Sequence, residues 1–194
     1  MLYPLNIDLA GRLVIIVGGG TVAERKVRGL FAAETGASIS VISPIVTPVL
    51  RRIASERKIT WIKDTYAHSM LEGAFLVYAA TNEHTVNAAV AAEANARGVL
   101  VNVIDDSTAS SFQVPSSIRR SELLITVSTG GGSPSLSRAI RMELEQLYPD
   151  SFGVWLKCVK KMRTELKNRI STSESRTFFW RAAMRADLLD MVRK

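Results

Sequence analysis

A chain of 194 residues, 47% of them apolar, has enough material for one large domain or two small ones with a proper core, which excludes the disordered and fibrous classes. Its longest apolar runs are strand-sized and broken by glycine or charge, too short to span a bilayer, and the opening MLYPLNIDLAGR lacks the basic and apolar regions of a secretory leader, so a cytoplasmic protein is expected. The net charge of +7 is uneven: residues 1–150 hold fourteen Lys/Arg and fourteen Asp/Glu, residues 151–194 eleven against four. Such a tail suits nucleic acid, a membrane surface, an acidic small molecule or plain solvent, and charge alone does not choose. Cys158 is the only cysteine, so neither an internal disulfide nor a cysteine-based zinc site is expected.

The first element is the most informative. In Leu13 to Lys26, LVIIVGGGTVAERK, a β-branched strand runs into three glycines and then an amphipathic helix. Gly18, Gly20 and Ala23 fit G-x-G-x-x-A, with Gly18 for the tight turn, Gly20 for backbone approach to phosphates and Ala23 for close helix–strand packing. A helix starting near Thr21 would aim unpaired N–H groups and its positive dipole end at a pyrophosphate. The competing reading is a glycine-rich turn without a ligand.

Alternation continues with a strand at Ser38–Ile42, a helix over Val46–Arg57, strands at Ile59–Lys63 and Phe75–Ala79, an Ala-rich helix over Thr85–Arg97 and a strand at Val99–Ile104. Strands separated by helices on short connections give an α/β fold, a Rossmann-like parallel sheet with helices on both faces, whose ligand lies at the carboxyl ends of the strands. Polar residues fall at those ends: Ser43 and Pro44, Thr81 and Asn82, and Asn102 to Asp106.

Beyond Asp106 the pattern changes. Phe112–Pro115 reads as extended, and Leu123–Ser128 as a strand entering a second glycine turn, TGGGSP, where Ser133 and Pro134 open a helix to about Tyr148. Two further helices are expected, with apolar stripes Trp155, Val159, Met162, Leu166 and Trp180, Met184, Leu188, Met191 that suit core or subunit contact.

Asp105 and Asp106 sit where the last parallel strand ends, so a carboxylate there is a candidate general base; Asp-Asp-Ser is equally the start of an ordinary polar turn. Thr129, Gly130, Gly131 and Ser133 offer a second backbone-rich anion cradle, with Arg119 and Arg120 upstream and Arg138 and Arg141 in the helix that follows. Solvent-facing arginines around a structural turn are the alternative. His68 and His84 are too isolated to argue for a metal site, and no G-x-S-x-G or Cys/His pair points to covalent catalysis.

Taken together, GGGTVAERK, AATNEHTVN and NVIDDSTASSFQVPSSIRRSELLITVSTGGGSPSLSRAIRMELE, in that order and spacing, resemble the precorrin-2 dehydrogenase/sirohydrochlorin ferrochelatase family, the N-terminal module of siroheme synthases. The likeness is strong over residues 1–150 and weak at Phe178 to Ala182. It implies NAD-dependent oxidation of precorrin-2, an acidic tetrapyrrole, to sirohydrochlorin, with accessory iron insertion left open. It also implies Asp105 as the catalytic residue. Dinucleotide contacts are implied at Gly18, Gly19, Gly20, Thr21 and Val22, at Ser43, Pro44 and Ile45, and at Thr81 and Asn82.

The resemblance further implies a homodimer and a division into an NAD-binding domain at residues 1–113, a small α+β dimerisation segment at 114–150 and a basic helical region at 151–194. Two features depart from pattern. The acidic residue that grips the ribose about twenty residues beyond the glycines is missing, since the second strand ends Ile42, Ser43, Pro44, so the choice of NAD over NADP rests on the family alone. A stand-alone dehydrogenase without the methyltransferase module of some siroheme synthases is expected, with neither nucleic acid nor membrane as partner. The rival from another class is a dinucleotide-sensing or tetrapyrrole-binding protein without turnover.

Overall fold

The structure is a computed structural model that describes residues 2–184 and 186–193. Residues as far as Val114 form one unit and those from Pro115 a second. In the first unit, strands β1 (Leu13–Val17), β2 (Ser38–Ile42), β3 (Thr60–Ile62), β4 (Leu76–Ala79) and β5 (Leu100–Val103) form a parallel sheet in the order β3-β2-β1-β4-β5. Helices α1 (Thr21–Ala32), α2 (Pro48–Ser55) and α3 (His84–Arg97) connect them.

The sheet's pleat sorts the side chains. Val14, Ile16, Ile39, Val41, Leu76 and Tyr78 face one way and pack with Ala23, Val27 and Leu30 of α1 and Leu50 of α2. Ile15, Val17, Val77, Ala79, Val101 and Val103 face the other way and pack with Val90, Ala91 and Ala94 of α3. Burial on both faces is why β1 and β4 read as continuous apolar runs. The expected doubly covered sheet is therefore present.

One crossover departs from the expectation that helices separate the strands. Between β3 and β4 the chain runs through turns, with no helix. What holds it is Glu93 of α3, only 4% exposed, whose carboxylate accepts from Tyr66 Oη (2.5 Å), Ser69 N (3.0 Å) and Arg97 Nε (2.8 Å). Burial alone would raise the Glu93 pKa, yet the hydrogen bonds from Tyr66 and Arg97, with the charges of His68 and Arg97, hold it below its ordinary value.

In the second unit β6 (Ser116–Arg120) and β7 (Leu123–Val127) form an antiparallel hairpin, followed by α4 (Pro134–Leu147), α5 (Ser151–Arg169), α6 (Ser173–Ala183) and α7 (Ala186–Arg193). The sequence reading had no strand at β6, only an extended stretch just before it. The hairpin turns through Ser121 at φ 56°, without the Asn-Gly or Asp-Gly pair that would announce it. Among the described residues, three helices follow α4 where two were expected, because α6 ends at Ala183. Trp180 and Met184 therefore do not share a helix with Leu188 and Met191, and the second apolar stripe is not a single helical face.

Candidate dinucleotide site and carboxylate turn

At the end of β1 the three glycines take three different roles. Gly18 has φ 122° and donates its N–H to Ile42 O (2.9 Å); a Cβ there would lie 2.3 Å from Ala80 O. At Gly19 a Cβ would lie 2.0 Å from Ile45 O and 2.7 Å from Ser43 Oγ, and Gly19 O accepts from Thr47 N (3.0 Å). Around Gly20 a Cβ would meet nothing within 4 Å. Gly18 and Gly19 thus let the protein close on itself, while Gly20 borders open space of the kind a phosphate needs.

Gly20 caps α1 without a side-chain hydrogen bond, and the helical ladder begins with Glu24 N donating to Gly20 O (3.0 Å). The N–H groups of Thr21, Val22 and Ala23 therefore have no helical acceptor and, with the dipole, favour an anion. Ala23 is fully buried against the sheet, as the third position of the fingerprint requires.

The loop after β2 is bound to this turn. Ser43 Oγ donates to Ile45 O (2.7 Å), and Thr47 Oγ1 donates to Glu24 Oε2 (2.7 Å) while accepting from Leu50 N. The Thr47 hydroxyl foremost, and then Arg28, hold the Glu24 carboxyl below its ordinary pKa against a smaller opposing effect of burial. Ser43 is buried, whereas Pro44 and Ile45 are exposed, Ile45 by 74%. Sequence reasoning missed Glu24; its position in the first helical turn was the available signal.

After β4, Thr81 Oγ1 and N both donate to Asn87 Oδ1 (2.8 and 3.2 Å), and Asn87 Nδ2 donates back to Thr81 O (3.0 Å). Asn82 is exposed beside this clasp. Asn87 was also missed, although a polar residue among the alanines of α3 marks it.

At the end of β5 the two neighbouring aspartates separate. Asp105 is exposed, at φ 56°. Asp106 Oδ1 instead accepts from Thr108 N (2.9 Å), Thr108 Oγ1 (2.7 Å) and Ala109 N (3.0 Å). The Ala109 N–H and the Thr108 donors, with the charge of His84 at the start of α3, keep the Asp106 pKa below its usual value against a contribution from burial. The β5 end is fixed to the sheet by Ile104 N donating to Ala79 O (3.0 Å). β1 and β5 flank β4, so the glycine turn and the aspartate turn occupy carboxyl ends of the same sheet.

The second glycine turn lies in the other unit. Ser133 Oγ accepts from Leu136 N as the cap of α4 (3.2 Å), and Thr129 Oγ1 accepts from Ser133 N (3.0 Å), with Gly130 and Gly131 at φ 62° and 87°. The four arginines expected near it divide. Arg120 Nε donates to Tyr148 O (2.8 Å) and pairs with Asp150 (3.2 Å), and Arg141 pairs with Glu145. Arg119 and Arg138 are exposed and make no ion pair among the described residues.

A parallel sheet in this order, with a glycine turn opening α1 at the end of its central strand, defines a Rossmann-type dinucleotide-binding protein. The chain belongs to the putative NAD(P)-binding family, whose model matches residues 5–116. It is 40% identical to a siroheme synthase of Chromobacterium violaceum over 98% of this chain and 40% of that protein. It is 38% identical to siroheme synthase 1 of Klebsiella pneumoniae over 91% of this chain and 37% of that protein. The chain thus spans about two fifths of the length of the curated relatives it matches. Among solved structures, SirC, a precorrin-2 dehydrogenase, matches with a TM-score of 0.77 and 26% identity, over 98% of this chain and 92% of that one.

Proposed function

We propose that this protein oxidises precorrin-2 to sirohydrochlorin with NAD. The observation that carries the reading is that one sheet holds, at the carboxyl ends of the two strands flanking β4, a glycine turn open at Gly20 and an exposed aspartate, Asp105. Support comes from the precorrin-2 dehydrogenase and siroheme synthases to which the chain is similar. The residues fit a dinucleotide: Thr21 and Val22 N–H groups and the α1 dipole for the pyrophosphate, Pro44 and Ile45 beside the adenosine end, Thr81 and Asn82 along the cofactor. When bound, NAD supplies the hydride acceptor.

The chain's own part is to hold the macrocycle and to take the proton that its oxidation releases. Asp105 is the proposed base, since its carboxylate is exposed while that of Asp106 is occupied within the loop. Arg119 and Arg138, together with Thr129, Gly130, Gly131 and Ser133, are the proposed contacts for substrate carboxylates; Arg120 and Arg141 are already engaged. The protein is further proposed to be a cytoplasmic homodimer joined through residues 114–150.

Anaerobic incubation with precorrin-2 and NAD, followed spectroscopically, tests the reading, with ferrous iron added second to measure any accessory insertion. NAD-dependent formation of sirohydrochlorin is expected, and Asp105→Ala should lower turnover about 10²-fold or more with NAD affinity unchanged. Tight binding of NAD or precorrin-2 without turnover would favour the sensing or carrier alternative.

A further inference from the structure

We infer that Asp106 is a positioning residue for Asp105: it is the anchor of the loop that keeps the neighbouring carboxylate fixed at the end of β5. The inference rests on the reading of Asp105 as the base. At φ 56° Asp105 occupies a backbone region that residues with a Cβ disfavour, so the loop around it must hold that conformation. The loop does so from both sides. On one side, Asp106 Oδ1 gathers Thr108 N, Thr108 Oγ1 and Ala109 N, fixing the turn immediately after Asp105.

On the other side, the returning chain is tied to β5 itself. As the edge strand, β5 has outward N–H groups with no strand to pair with. Ser110 Oγ accepts from Val103 N (2.9 Å) and Ser111 Oγ from Val101 N (2.8 Å), while Ser111 N donates to Val101 O (2.8 Å). Ser110 Oγ also lies 2.7 Å from Asp106 O, to which it donates. Asn102 Nδ2 closes the base of the loop on Phe112 O (3.1 Å). Asp105 thus shares an exposed loop with Asp106, but the Asp106 carboxylate is held by hydrogen bonds within the loop.

The role needs an acceptor oxygen at position 106 but no negative charge, and that separates positioning from catalysis. Asparagine keeps the acceptor and loses the charge. Asp105→Asn, Asp106→Ala and Asp106→Asn would be compared in full-length protein for kcat, KM for precorrin-2, NAD affinity and the pH profile of kcat/KM. Asp106→Ala should lower kcat tenfold or more with KM and NAD affinity within about threefold of the parent, and Asp106→Asn should restore kcat to within about threefold, with the acid limb of the profile intact.

An Asp106→Asn protein as slow as Asp106→Ala would show that the charge at 106 matters and overturn the inference. So would an Asp106→Ala protein with parental kcat while Asp105→Asn is inactive. Parental turnover in Asp105→Asn would instead defeat the reading of Asp105 as base, so the two failures are distinct. If Asp106→Ala does not fold, Thr108→Val and Ser110→Ala each remove part of the same anchor. Both should lower kcat severalfold at unchanged KM, and parental kcat in both would overturn the inference.

Discussion

The three glycines of the first turn respond differently to a side chain, and the differences can be measured. Gly20 borders open space, so Gly20→Asp should fold normally while its carboxylate repels pyrophosphate; loss of NAD binding at an unchanged melting temperature is the expected result. Gly19→Ala should instead cost stability, because its Cβ would fall within 2.0 Å of Ile45 O and the β2–α2 loop would have to move. Isothermal titration beside thermal unfolding separates the two, and a folded Gly20→Asp protein that still binds NAD would remove Gly20 from the site. The G-x-G-x-x-A spacing identified Gly18, Gly20 and Ala23 from sequence. That Gly19 is the most sterically constrained of the glycines was not legible, because its neighbours, Ser43 and Ile45, lie more than twenty residues away in the chain. Likewise the pair Asp105 and Asp106 reads as two equal carboxylates until the loop shows which of them is spent on hydrogen bonds.

Among the elements, those whose apolar pattern matched their burial were the legible ones. Strands β1, β2 and β4 lie within the sheet, covered on both faces; the uninterrupted apolar runs of β1 and β4 and the Ile39, Val41, Ile42 pattern of β2 mark their positions to within a residue. β6, SSIRR, has only Ile118 buried among polar neighbours, so nothing in its composition marks a strand; β7 opposite it supplies the pairing. The helix-free β3–β4 crossover was equally silent, because its stability comes from Glu93 on a later helix. Glu93→Ala would leave Tyr66 Oη, Ser69 N and Arg97 without their common acceptor, at a cost of about 3 kcal/mol. The pH dependence follows in sign. The Glu93 pKa is lowered on folding, so its contribution is complete above the ordinary carboxylate range and is lost as pH falls through that range and below. Urea unfolding at pH 7 and at pH 3 should therefore show a smaller difference between parent and Glu93→Ala at the lower pH. An equal difference at both would show that the carboxylate's charge is not what holds the crossover.

At the scale of the whole molecule, the two units differ in how well each supplies its own core. The first has two large apolar clusters, one on either face of its sheet. The second, of comparable element count, buries only Ile118 and Phe152 among its described apolar side chains, with Tyr148 and Trp155 stacked edge-on around Phe152. It leaves Leu136, Met142 and Leu147 exposed on α4, the first two by 52% and 51%, and Phe178 on α6 by 77%. A unit of roughly eighty residues with so small a core is marginal by itself, and small units of this kind gain stability by association. Apolar side chains along α4, within the segment proposed to join two copies, are the surface that such association would cover. Leu136→Glu with Met142→Glu is expected to convert a dimer to a monomer in light scattering coupled to size exclusion, and to lower the melting temperature. NAD affinity should be retained, because the glycine turn and its supporting loop belong to the first unit. A parent protein that is monomeric at micromolar concentration, or a double variant that remains a dimer, would place the subunit contact elsewhere or remove it.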